Sequence, residues 1–228
     1  MVSGKLRPPL PLDFDFDPQT QTPLTMKKKL MAMLIAGLGA IPAFAQASTP
    51  YVSANLGLGF ASNSDYTPTG QTTIADALSF KTGIPLGVAV GMTTDYGRIE
   101  AALGYQRNSV AASKYFEPAS DDHVTTYSYM ANAYYDYEPG KSSVTPYIMG
   151  GLGGATIKPN GNPYDGKSST VFVWQLGAGI GIKAADRLVL DVGYRYVKPG
   201  SITVTGSLNN GNYTIGGNNI LLGLRYSL

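Results

Sequence analysis

Three groups of residues in this chain have types and spacing that could do chemistry. Gly161-Asn162-Pro163-Tyr164-Asp165-Gly166-Lys167-Ser168 fits the GxxxxGK[ST] pattern of a phosphate cradle, and Leu188-Val189-Leu190-Asp191 imitates its acidic strand. That chemistry requires a helix directly after the loop, whose first amides hold the phosphates. Thr170-Val171-Phe172-Val173-Trp174 follows instead, a strand sequence, so the match reads as a Gly- and Asn-rich loop. The second group is His123, the only histidine, beside Asp121 and Asp122. A hydrolytic triad would add a nucleophile. Thr125 stands two places on, facing the same way in an extended chain, where a Ser would be wanted. One member does not make a triad, so His123 reads as a solvated loop residue and the chain as not an enzyme. One His, scattered Asp and no Cys give neither a metal ligand set nor a thiolate, and no cofactor is expected. Asn212-Tyr213-Thr214 is a glycosylation sequon by letters only. The third group is a set of charges, Glu100, Asp136, Lys183, Asp191, Arg195 and Arg225, and its meaning depends on the elements that carry it.

Those elements are strands. From Ile220 the apolar residues fall on every second position, Ile220, Leu222, Leu224, Tyr226 and Leu228, which is the period of a strand with unlike faces. Seven earlier segments repeat the pattern, near 51–61, 83–94, 97–107, 124–138, 144–158, 170–183 and 188–196. The final strand is placed at 213–228. Each has about ten or more residues, the length a tilted strand needs to cross a bilayer. Short turns are expected at 94–97, 139–143 and 184–187. Long polar connections are expected at 62–82, 108–123, 159–169 and 198–212. Short turns at one end and long loops at the other, with an even strand number, place both termini on the short-turn side, the periplasm. A terminal strand without a partner is a sticky edge, so the last strand is expected to pair with 51–61 and close a barrel. The fold class is therefore all-β, an eight-stranded antiparallel up-and-down transmembrane β-barrel.

Alternation alone does not say which face points outward, since a soluble ligand-binding barrel has the same period. Charged residues make up 14% of the chain against 28 Gly and 16 Tyr, and a soluble surface normally carries about 25% charge. The face opposite the apolar one holds Gly57, Gly59, Gly87, Gly91, Gly104, Gly177, Gly179, Gly181, Gly193 and Gly223. Water would favour Lys and Glu there; a narrow lumen needs small residues beside large ones. Tyr105, Tyr127, Trp174, Tyr196 and Tyr226 sit towards strand ends, as interface girdles do. The apolar face is thus read as facing lipid, and the six charges as lumenal. Charges in so small a lumen must be paired. They are read as a plug of ion pairs rather than a gated ion path, with removal of Arg195 or Arg225 expected to lower stability.

Residues 1–25 are Pro-rich without a sustained period. Met26 begins a leader-like stretch with Lys27, Lys28 and Lys29, an apolar core from Leu30 to Ile41, and small-x-small cleavage sites ending at Ala45 or Ala47. The expectation is a non-native upstream extension at 1–25, a signal peptide at 26–47 cut after Ala47, and a barrel domain at 48–228. Removal of 1–47 takes five of the 17 basic and three of the 15 acidic residues, leaving twelve of each. No basic stripe remains, which argues against nucleic acid.

Leu103-Gly104-Tyr105-Gln106-Arg107, Val192-Gly193-Tyr194-Arg195-Tyr196 and Leu222-Gly223-Leu224-Arg225-Tyr226 share a local pattern. With Thr145-Pro146-Tyr147-Ile148-Met149-Gly150-Gly151-Leu152-Gly153 they resemble the small outer-membrane β-barrel family of OmpA-type transmembrane domains and Opa-like surface antigens, over nearly all of Tyr51 to Leu228. The resemblance implies a monomer in the lipid of a Gram-negative outer membrane, folded by the barrel assembly machinery. It implies a structural or surface-exposed role, antigen or adhesin-like, with extracellular or host ligands met through the loops. A narrow porin-like channel for ions or small solutes is the alternative. Outer-membrane lipid A deacylases use a histidine on the barrel's outer face, and His123 with Thr125 only partly matches them. Gly223, Tyr226 and Leu228 partly match the family's C-terminal assembly signal, which usually ends in an aromatic residue and has a polar one where Leu221 stands. Loop residues able to contact partners are Tyr66, Tyr115, Phe116 and Tyr164.

Overall fold

The computed structural model describes residues 49–62, 64–68, 72, 74–95, 97–113, 121–137, 142–160, 168–200, 202–204, 211–214 and 216–228. The expected extension and leader, nearly all of the phosphate-cradle match, and Tyr115, Phe116 and Tyr164 lie outside the described residues.

Eight long strands form a ring. They are β1 (Thr49–Ala61), β4 (Ile84–Thr94), β5 (Gly97–Ser113), β6 (His123–Asp136), β7 (Val144–Asn160), β8 (Ser169–Ala185), β9 (Leu188–Pro199) and β12 (Gly217–Ser227). Each pairs antiparallel with its neighbours around the ring. The ring closes where β1 meets β12, in register from Tyr51↔Ser227 to Ala61↔Gly217. The backbone amide of Leu228 adds a bond to the carbonyl of Pro50 at 2.9 Å. Closure leaves the barrel no unpaired edge, which is what a sheet in hydrocarbon requires.

The stagger follows from the register. Starting at Tyr51 and stepping from partner to partner through Gly91, Glu100, Asn132, Gly151, Gln175, Val197 and Gly217, the path returns to β1 at Ala61, ten residues further on. With a rise of about 3.3 Å per residue and strands about 4.8 Å apart, that stagger tilts the strands by about 40°.

The apolar residues point out. Leu56, Val88, Leu103, Ile148, Leu152, Leu176 and Leu222 are each more than half exposed. The inward positions are the covered ones: Tyr51, Arg98, Met130, Asn132, Val173 and Gln175 are all at most 4% exposed. A protein in water would place its leucines the other way round; a band of bare leucine around a polar interior suits hydrocarbon. The outer aromatics pair at one end of the barrel. Tyr105 meets Tyr127 at 5.5 Å between centroids, and Trp174 meets Tyr196 at 5.7 Å.

Two of the four connections expected to be polar loops contain strands. β2 (Ser64–Pro68) and β3 (Ile74–Phe80) lie between β1 and β4, and β10 (Ile202–Val204) and β11 (Gly211–Thr214) lie between β9 and β12. β5 also runs on to Ser113, past the expected end of its strand. β3 pairs with this extension (Leu78↔Ser113), β2 with β3, β11 with β2 and β10 with β11, making an annex at the loop end. Tyr213 therefore belongs to β11, and the closing strand begins at Gly217. Ile74, Leu78 and Phe80 carry the period-two signal that would have shown β3; the polar residues around them hid it.

The barrel interior as candidate functional site

The path of register partners that begins at Tyr51 also carries the hydrogen bonds across the lumen. Tyr51 Oη donates to Glu100 at 3.0 Å, Asn132 Nδ2 donates to Glu100 at 2.8 Å, and Gln175 Nε2 donates to Asn132 Oδ1 at 2.6 Å. Tyr134 Oη adds a third bond to Glu100 at 2.6 Å. The side chains alternate with glycine on the intervening strands. Tyr51 on β1 reaches Glu100 on β5 by lying over Gly91 of β4, and Asn132 on β6 reaches Gln175 on β8 over Gly151 of β7. A Cβ at either glycine would run into those side chains. The inward glycines are thus slots for neighbours' long side chains.

Two ion pairs flank this layer. Arg98 holds Asp136 through Nε at 2.7 Å and Nη2 at 2.9 Å, with both side chains nearly buried. The Arg98 guanidinium also lies over the rings of Tyr134 and Tyr147, at 4.2 and 5.0 Å. Arg225 binds Asp191 through Nε at 3.2 Å and Nη2 at 3.4 Å, and sits 5.6 Å from the Tyr51 ring.

Of the six charges singled out from sequence, Glu100, Asp136, Asp191, Arg195 and Arg225 lie inside. Lys183 does not. It has inward parity, but the register breaks between Lys183 and Ala185 at the strand end. Its side chain is 58% exposed and pairs with Asp186 at 3.5 Å across the turn. Arg98 was missed, although it shares the parity of Glu100 two residues on. Tyr51, Tyr134 and Tyr147 were missed as lumen groups because aromatic residues were sought only on the outer face.

Arg195 differs from the other two lumen arginines. No ion pair or hydrogen bond reaches its side chain among the described residues, and its Nε is buried without a partner. It stands between two cavities. One, of about 80 Å³, lies in the turn half beside Arg98, Glu100, Tyr147 and Asp191. The other, of about 110 Å³, lies in the loop half beside Gln106, Asn108, Val173 and Asn219. Each has room for several waters. Asn55 Oδ1 faces the first and Asn219 Oδ1 the second, both also without protein partners.

A profile of the family described as outer membrane protein beta-barrel domain matches residues 31–227. The chain belongs to that family. It is thus an outer-membrane β-barrel of the Gram-negative type. It is 34% identical over 89 residues to outer membrane protein PagN of Salmonella typhimurium, covering 34% of this chain and 36% of PagN. It is 30% identical over 154 residues to an uncharacterised protein of Brucella abortus, covering 54% of each. The chain thus spans about a third to a half of the length of these curated relatives. Neisserial surface protein A has the same fold, with a TM-score of 0.54 at 19% identity, covering 80% of this chain and all of that one.

His123 opens β6 opposite Ser109 of β5. Its Nδ1 lies 2.6 Å from the carbonyl of Asp121 and 3.2 Å from Arg107 Nη2. No hydrogen bond joins its ring to Ser109 or Thr125 among the described residues. Thr125 Oγ1 instead accepts from Asn160 Nδ2 at 3.4 Å. Tyr226 and Leu228 are exposed on the lipid face of β12 and Gly223 faces inward, stacked beside Asn55 and Asp191.

Proposed function

We propose that this outer-membrane barrel is a non-enzymatic, surface-exposed scaffold whose loops and annex form the contact surface and whose lumen is a closed plug. Both termini then lie in the periplasm and the annex outside the cell. One observation carries the reading. A hydrogen-bonded layer from Tyr51 through Glu100 and Asn132 to Gln175 crosses the barrel, and Arg195 separates the two small cavities on either side of it. Eight strands leave an interior that side chains can largely fill, and here the space left is two cavities of about 80 and 110 Å³. The loop end is where strand lengths and connections are irregular, as in binding surfaces carried on rigid scaffolds. Reconstitution of the purified chain into a planar bilayer tests the closed lumen: no steady conductance is expected, and a steady open pore would overturn it.

A narrow channel is the second reading, favoured by the two cavities meeting at one unpartnered guanidinium. The same recording decides between them.

A further inference from the structure

The outer surface carries a cationic feature that the scaffold reading does not use. On β5, β6 and β7 the lipid-facing column ends at Tyr105 and Tyr127, packed edge to face. One step further towards the loop end, Arg107, Thr125 and Lys158 stand side by side in register. Arg107 and Lys158 are exposed, and Thr125 between them is covered. Two strand spacings put their backbones about 10 Å apart, so both long side chains can reach a group seated above Thr125.

Among the described residues neither cation has an acidic partner. Among the described residues the ion pairs are Arg98–Asp136, Lys183–Asp186 and Arg225–Asp191. Arg107 touches His123 Nδ1, but that nitrogen is 2.6 Å from the Asp121 carbonyl and must donate to it. It therefore cannot accept from Arg107, whose donors are left for another acceptor. Lys158 Nζ lies 5.9 Å from the Tyr127 ring.

The height of the row fits a headgroup. From Ile99 to Arg107 is eight residues, about 26 Å of strand, and about 20 Å along the membrane normal at a tilt of about 40°. The apolar band of such barrels is about 25 Å tall, so the backbones of Arg107 and Lys158 stand within about 5 Å of its upper edge, and their long side chains can extend to the phosphate level. The other end of the same three strands shows lipid Ile99, Tyr135 and Ile148 instead, with no cation. On these three strands, cationic charge is therefore offered at the loop end only.

We propose that the outward face of β5–β7 at the loop end binds a phosphorylated glycolipid of the outer leaflet. Arg107 and Lys158 hold its phosphate, Tyr105 and Tyr127 lie under its sugar, and its acyl chains run down past Leu103 and Leu152. This rests on the reading that the loops face outside the cell.

The test uses the full chain folded in phosphatidylcholine nanodiscs doped with bisphosphorylated lipid A or with its dephosphorylated form. Native mass spectrometry reads the retained lipid. The wild type is expected to retain the phosphorylated form preferentially. Each cation near a phosphate is worth roughly a fivefold preference, so R107Q and K158Q should each lose about that factor and the double variant nearly all selectivity. K183Q, at the turn end, should retain the wild-type preference. Heat-dependent gel mobility confirms that each variant is folded. Equal selectivity in wild type and double variant, or equal retention of both lipids by the wild type, overturns the proposal. Labelling of a cysteine placed at Ser113 in intact cells separates the two readings. If the loop end is not labelled, the topology fails; if it is labelled and the double variant still selects phosphate, only the lipid site fails.

Discussion

At the scale of single residues, the three lumen arginines should behave differently despite identical chemistry. Arg98 makes two short bonds to Asp136, and both side chains are nearly buried. Arg98→Ala leaves a carboxylate stranded in the barrel, which typically costs about 3–5 kcal/mol. A marked drop in the urea midpoint for refolding in detergent is expected. R98A/D136A should recover part of it, since the stranded charge is then gone. Arg195 offers the contrast. The sequence suggested that its loss would destabilise the plug, but among the described residues it has no bonding partner to lose. Arg195→Ala should unfold within about 1 kcal/mol of the wild type, because removing an unpaired interior charge relieves desolvation as much as it removes packing. A loss in R195A as large as in R98A would show that Arg195 is paired after all.

At the scale of the element, β12 matters most because it has to complete the ring. Its register with β1 covers Tyr51 to Ala61, and the last bonds run from Ser227 to Arg187 and from Leu228 to Pro50. Deleting Tyr226 to Leu228 removes those bonds and the two lipid-facing side chains Tyr226 and Leu228. Outer-membrane insertion should be abolished, as read by fractionation and resistance to urea extraction; normal insertion would count against this role. The annex should be separable from the barrel. Ala112 on the extension of β5 pairs with Ser79 of β3, beyond the point where β5 pairs with β6. Ala112→Pro should open that ladder and make the 62–82 connection easier to cleave by protease, while heat-dependent gel mobility stays as in the wild type.

At the scale of the whole molecule, a polar layer crosses the lumen between two cavities of about 80 and 110 Å³. The path of partners that returns to β1 ten residues on passes through every barrel strand, so the layer from Tyr51 to Gln175 is inclined across the interior. The wild-type barrel should therefore hold a flat baseline in a planar bilayer in molar salt. In the proposed orientation, the loop end, the annex and the cation row below them face outside the cell.

Much of this was legible from the residues alone. Alternation is a local property of an extended chain, so Ile220 to Leu228 and its seven counterparts disclosed their strands without reference to any partner. Glycine in place of lysine opposite the leucines disclosed which face met lipid. The meetings inside the barrel were not local. Arg98 finds Asp136, Tyr51 finds Glu100, and Lys183 misses the lumen, through stagger, closure and one register break near a turn. These are set by how eight strands slide past one another before the ring shuts. The sequence by itself determined the eight barrel strands, their faces and the barrel; only the tertiary structure showed the annex strands and decided which charges are paired, because both depend on meetings between strands that no single strand encodes.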